Sequence, residues 1–203
     1  MKSTIKIALF SSALAVLALP AVAQSTDPAA PVTGQTIQQR KENQQDRIGN
    51  GVKSGQLTAG ETSNLEKKEA GINREERNMR QRDDGHLTAA DKAKVNRQQN
   101  QLSHQIYQDK HNGAVQNTNP TSEVGKRQEN QQDRIAQGVK SGQLTAGEAA
   151  HLESNEARIN KEVRNDRAAN GGKLTAQEKA QINRQQNHQS GKIYRDKHNG
   201  RHQ

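Results

Sequence analysis

Apolar residues are sparse along this chain, but they are spaced as helix faces. Ile48 and Val52 are four apart, and Leu65, Ile72 and Met79 follow at intervals of seven. Val95, Leu102 and Ile106 then come at seven and four. Further on, Ile135 and Val139, then Leu152, Ile159 and Val163, then Ile182 and Ile193 repeat the pattern. Such spacing puts each set on one side of an α-helix. Boundaries come from a second pattern. Four times the chain reads Gly-x-Leu-Thr-x-x-Glu/Asp, at Gly55–Glu61, Gly85–Asp91, Gly142–Glu148 and Gly172–Glu178. Thr58, Thr88, Thr145 and Thr175 are placed as N-caps. Glu61, Asp91, Glu148 and Glu178, three residues on, can reach back to the cap amide as capping boxes. The glycine three before each threonine suits a helix C-terminus. These signals predict helices near 38–53, 59–81, 89–110, 125–140, 146–168 and 176–197.

The two halves of that pattern are one unit written twice. Arg40–Gly113 aligns without a gap to Arg127–Gly200, 87 residues on, and about 48 of the 74 positions are identical. The copies act as an internal control: a residue kept in only one of them is a weak functional candidate. The predicted fold is all-α, two tandem three-helix units (37–113 and 127–200) joined by a flexible linker at 114–126, with a tail at 201–203. A disordered leader covers 24–36. The apolar stripe is interrupted in the second copy, where Asp166 replaces Met79 and Gln189 replaces Leu102. The faces are narrow, which predicts weak packing.

Residues 1–23 have the form of a bacterial secretory signal. Lys2 and Lys6 precede an apolar run from Ile7 to Leu19, Pro20 breaks it, and Ala21-Val22-Ala23 offers a small-residue cleavage site before Gln24. The run is shorter than the roughly 20 residues a spanning helix needs. The expected location is the periplasm or outside the cell, with no transmembrane anchor in the mature chain. The sequence has no cysteine, so disulfides and lipid-modified cysteines are excluded.

Composition sets a competing expectation. About 25 of the 180 residues after the signal are Leu, Ile, Val, Met, Phe or Tyr. Chains so poor in apolar groups and so charged are often disordered. Charge is positive: the formal value is +9, and removing the signal takes two lysines and no acid, leaving +7.

Candidate chemistry is thin. The turns carry part of an EF-hand skeleton, with Gly55, Leu57, Thr58 and Glu61 at its sixth, eighth, ninth and twelfth positions. Its first three ligand positions are Asn50, Val52 and Ser54, or Gln137, Val139 and Ser141 in the second copy. The later turns place Arg80, Arg82 and Asp84, or Arg167, Ala169 and Gly171, there. Valine offers no oxygen and arginine opposes a cation, so the ligand set fails. Of the histidines, His104 becomes Gly191 and His86 becomes Lys173. Only His111 persists, as His198, at a helix end where a cation suits the dipole. No metal or other cofactor is implied. No nucleophile elbow, phosphate loop or catalytic cysteine occurs, and the acid pairs Glu75-Glu76 and Asp83-Asp84 are not kept. So small a core also argues against a pocket that desolvates an acid or base. The chain reads as no enzyme.

The repeated bases are the remaining lead. Lys92, Arg97 and Lys110 recur as Lys179, Arg184 and Lys197 on the third helix, and Arg74, Arg77 and Arg80 recur as Lys161, Arg164 and Arg167 on the second. Cationic helices bind polyanions through charge with little sequence preference. Only Tyr107 and Tyr194 could stack on bases, which argues against a specific nucleic acid. In the envelope the partner would be an anionic surface component.

At RI…GVKSGQLTAGE…LE..E..IN.E and GxLTA..KA..NRQQN…IY.DKHN the chain resembles uncharacterised exported bacterial proteins with one or more copies of a similar helical unit. That resemblance implies a helical fold and export, and no activity. The hydrophilic, tryptophan-free composition also resembles hydrophilins, which implies stress protection with little fixed structure. The reading is an exported, non-enzymatic helical-repeat protein that binds polyanions through basic helix faces. The alternative is a hydrophilin-like protectant, and the third is a degenerate EF-hand-like calcium binder. The mature chain is expected to begin at Gln24, and the intact mass of exported protein checks this; a chain starting at Met1 would refute the cleavage.

Overall fold

The computed structural model describes residues 34–116 and 121–202. The signal, and the leader up to residue 33, lie outside the described residues. The described residues form an all-α protein of six helices with no strand. They are α1 (Ile37–Ser54), α2 (Ala59–Arg82), α3 (Ala89–His111), α4 (Glu123–Lys140), α5 (Ala146–Ala169) and α6 (Ala176–Lys197).

Side-chain caps begin every helix. Thr58, Thr88, Thr145 and Thr175 each accept from the amide of the acid three residues on, and that acid accepts from the cap amide. Thr36 does the same with Gln39 at α1, so the end of the presumed leader is part of the fold. Ser122 caps α4. The leucine of each first turn folds back onto the helix it leaves. Leu57 N donates to Gly51 O and Leu144 N to Gly138 O, both at 3.0 Å. A Cβ at Gly51 or Gly138 would lie 2.7 Å from that leucine's Cγ, so only glycine admits the fold-back.

The two repeats are not separate bodies. α2 packs mainly on α5, and α1 on α4. Both pairs run antiparallel. Lys53 of α1 shares a cavity wall with Asp133 and Arg134 of α4, while Gln38 and Lys41 share another with Val139 and Lys140. Ala70, Asn73 and Arg74 of α2 lie beside Thr145, Ala146 and Gly147 at the start of α5. Equivalent positions meet where each pair crosses. Ser63 Oγ donates to Ala150 O at 2.9 Å, and a Cβ at Gly49 would lie 3.2 Å from the carbonyl oxygen of Ala136. Both partners are 87 residues apart, the repeat offset. Self-complementary contact of this kind is what a two-fold axis produces, here between two halves of one chain.

This arrangement corrects two sequence expectations. The stretch at 114–126 is not all linker. Gln116 N donates to Gly55 O at 2.9 Å and its side chain accepts from Ala59 N at 3.0 Å, while α4 already begins at Glu123. Nor does Gln189 break the stripe by turning outward. Gln189 is buried, and its Nε2 donates to Leu152 O at 2.9 Å. The substitution does have a cost. The first half has one apolar cluster running from Ile48 to Ile106, joined by Ala136 of the other half. The second has two, Ile135–Ile193 and Val124–Ile182, where Leu102 has no apolar counterpart.

Thr145→Ala removes the cap between Thr145 Oγ1 and Glu148 N, 3.3 Å apart. The expected loss is about 0.5–2 kcal/mol, read as a lower melting temperature and reduced helicity; an unchanged melt would show that the box contributes nothing.

Candidate functional site

The α2–α5 seam holds four glutamates, Glu66 and Glu69 of α2 and their counterparts Glu153 and Glu156 of α5. All four are 0% exposed. So small a core argued against a pocket that desolvates an acid; here four acids are desolvated in a helix seam instead. Each repeat is thin, but the other repeat covers it. Gln45 Nε2 donates to Glu66 Oε2 at 3.2 Å, and Gln132 Nε2 makes the matching bond to Glu153 Oε2 at 3.0 Å.

The seam is short of donors. Glu66 Oε1, Glu153 Oε1 and both oxygens of Glu69 and Glu156 are buried without a partner, as are Gln45 Oε1 and Gln132 Oε1. A carboxylate in such surroundings loses its hydration and gains little in return. Retaining a proton removes the charge and supplies the missing donor. Burial accordingly pushes Glu69 up to about 7, against Lys41, which lowers it. Glu153 and Glu156 rise to about 8, again by burial, tempered by Gln132 and Gln189 respectively. Glu66 is raised well above the carboxylate range by burial, with Gln45 opposing and Glu69 and Glu153 adding to the rise. No group of three or more His, Cys, Asp or Glu able to hold a metal occurs among the described residues.

The capping acids behave in the opposite way. Asp91 is held low by the Thr88 hydroxyl, and Glu178 by the Thr175 amide. At the first EF-hand-like turn, Glu61 Oε2 accepts from Thr58 and Oε1 from Asn112 Nδ2 at 2.7 Å; Glu148 and Asn199 repeat this. His111 Nδ1 lies 2.7 Å from Tyr107 O, and its ring stacks on Tyr107 at 4.2 Å. His198 and Tyr194 match them at 2.7 and 4.3 Å.

The six third-helix bases do not converge. Lys92 and Arg97 are five residues apart, hence about 140° apart around α3, and Lys110 is roughly 27 Å along the axis from Lys92. Lys92, Arg97 and Arg184 are exposed. Lys179 pairs with Glu123 at 2.7 Å. Lys197 is half-buried and donates to Gln137 Oε1 at 3.2 Å; burial and then Arg134 lower its pKa. Lys110 is also half-buried.

A second cationic group escaped the sequence reading as a group. Lys41 of α1 and Arg74 and Arg77 of α2 line one cavity with His202 and the start of α5. The recurrence of Arg74 and Arg77 as Lys161 and Arg164 was the available signal. The signal for the seam was stronger: Glu69 shares the i, i+4, i+7 stripe with Leu65 and Ile72, and Glu156 shares it with Leu152 and Ile159. Compared with protein-family models, with curated proteins and with solved structures, the chain matches none. Any function must therefore be argued from these side chains.

The seam predicts an unusual pH dependence. A glutamate whose folded pKa is raised binds its proton more tightly in the folded state. Its contribution is complete below the unfolded value near 4.5 and is lost as pH rises through about 7 to 8. Asp91 and Glu178, whose pKa is lowered in the fold, are ionised in both states between pH 5 and 8 and add no slope. The melting temperature should therefore fall from pH 5 to pH 8. Glu153→Gln with Glu156→Gln, which mimics the protonated form, should flatten that fall; a wild-type melt constant across the range would refute the buried seam.

Proposed function

We propose that the chain is an exported, non-enzymatic interaction protein, built of two tandem three-helix units, that binds anionic polymers of the cell envelope through exposed bases. The observation that carries this is the division of charge. Four acids, Glu66, Glu69, Glu153 and Glu156, are buried and four more, Glu61, Asp91, Glu148 and Glu178, are engaged in caps, whereas Arg74, Arg77, Lys92, Arg97 and Arg184 are exposed. Burial favours the protonated form of the four seam acids, for Glu69 below about pH 7 and for Glu153 and Glu156 below about pH 8, so the chain without its signal is more positive than its formal +7 there. A positive body of this kind attracts polyanions over a Debye length, about 8 Å at physiological salt.

The protectant reading needs little fixed structure. A shared interior, with hydrogen bonds mirrored between repeats down to Arg47–Ser103 and Arg134–Ser190, favours a protein of definite shape. The calcium reading has the least support, since the carboxylates of Glu61 and Glu148 are engaged in caps. Export rests on the signal form of residues 1–23, and the two-unit division rests on the sequence repeat.

Binding of the mature protein to lipopolysaccharide or to heparin as a model polyanion should weaken steeply with salt, because counterions are released in proportion to the contacts made. Changing Lys92, Arg97, Lys179 and Arg184 together to glutamine should weaken it at every salt concentration and flatten the slope. A mature protein that binds neither polymer at low salt would sink the interaction reading and leave the protectant reading in front.

A further inference from the structure

The cavity between the repeats carries a more specific site. It has a volume of about 220 Å³. Its walls include Lys41 from α1, Arg74 and Arg77 from α2, the start of α5, and His202. Among the described residues no side-chain carboxylate lines it. Arg74 and Arg77 make no hydrogen bond or ion pair among the described residues, although the acids beside them on α2 are paired, Glu75 with Lys94 and Glu76 with Arg80. Two acids on the helices that wall it are otherwise occupied. Glu148 is held by Thr145 and Asn199, and Glu69 is buried beneath Lys41.

Three bases facing one cavity repel each other unless an anion joins them. Two guanidinium forks and an ammonium match a compact, multiply charged oxyanion better than a diffuse polymer charge, because arginine donates in parallel pairs to phosphate-like oxygens. The pseudo-symmetric position is weaker. Lys161 and Arg164 replace Arg74 and Arg77, but Gln128, which is buried and bonded to Asn160 Oδ1, stands in place of Lys41. One strong site per chain follows. It exists only because the repeats dock, since Lys41 and the arginines belong to one and the start of α5 to the other.

We infer that this cavity binds a phosphomonoester group through Arg74, Arg77 and Lys41. The inference rests on the polyanion reading and gives it a defined anchoring point, a terminal phosphate as opposed to a run of charges. Such a group could come from a phosphorylated lipid headgroup or from free phosphate, and the two sources are separable by experiment.

Isothermal titration calorimetry of the mature protein at low salt, with inorganic phosphate, should show one site per chain. Arg74→Gln with Arg77→Gln should weaken it at least tenfold, with helicity and melting temperature at wild-type values, since both side chains are exposed and unbonded. The Lys92, Arg97, Lys179 and Arg184 glutamine variant should bind phosphate as wild type does. Phosphatidylcholine vesicles containing phosphatidic acid, a lipid monoester, should bind more tightly than vesicles containing equal phosphatidylglycerol, a diester, if the headgroup is the source. Equal vesicle binding, with the phosphate site intact, assigns the site to free phosphate. Phosphate binding unchanged in the double arginine variant, or absent in wild type, overturns the site. If heparin binding and its salt slope persist in that case, the wider reading survives; if they are absent too, both fall.

Discussion

The interior of this fold depends on the packing of α2 against α5. A repeat with so few apolar residues cannot cover three helices by itself. Burial of apolar area is the main favourable term in folding, and each half obtains part of it from the other. Ala136 of the second half completes the cluster of the first, and Ser63 and Ala150 join the central helices where they cross. The two-fold relation repeats other contacts, so that Gln45 on Glu66 recurs as Gln132 on Glu153.

The cost falls on polar groups. Small residues and glutamines stand where larger apolar side chains would otherwise fill the interior. Gln44 and Gln99 donate to the backbone carbonyls of Gln99 and Ile37, and Gln131 and Gln186 repeat the pair with Gln186 and Val124. These bonds tie the first and third helix of each copy together with directional contacts. Their amide oxygens, with those of the seam glutamates, leave an interior rich in acceptors and poor in donors. Protons on the carboxyl groups relieve that imbalance, so charge state and packing are one problem in this protein. A buried pair left ionised and unpartnered would be strongly destabilising.

The same economy shapes the surface. Acids spent in the seam and in the caps are not available to neutralise exposed bases. The free guanidinium groups of Arg74 and Arg77 are therefore a consequence of how the halves dock. The cavity they share with Lys41 has walls from both repeats, so its electrostatics depend on the interface that the glutamates occupy. Lys41 belongs to both, tempering Glu69 on one side and facing the cavity on the other.

The sequence alone determined the local structure. Threonine followed by an acid three residues on, with leucine before it and glycine two further back, sets helix starts and stops through bonds that span only a few residues. That is why α2, α3, α5 and α6 begin one residue after their caps. Helix periodicity likewise marked Leu65, Ile72, Leu152 and Ile159 as inward-facing. What covers those faces was decided by tertiary structure. A repeat read by itself shows a narrow stripe and suggests a weak bundle on a loose linker, because nothing in its spacing states that an identical stripe lies across a two-fold axis. Glu69 and Glu156 sat on that stripe in plain view. A lone helix exposes them, and only the second helix removes their water. Lys41, Arg74 and Arg77 lie more than thirty residues apart in part, and their convergence likewise exists only once α1, α2 and α5 have met.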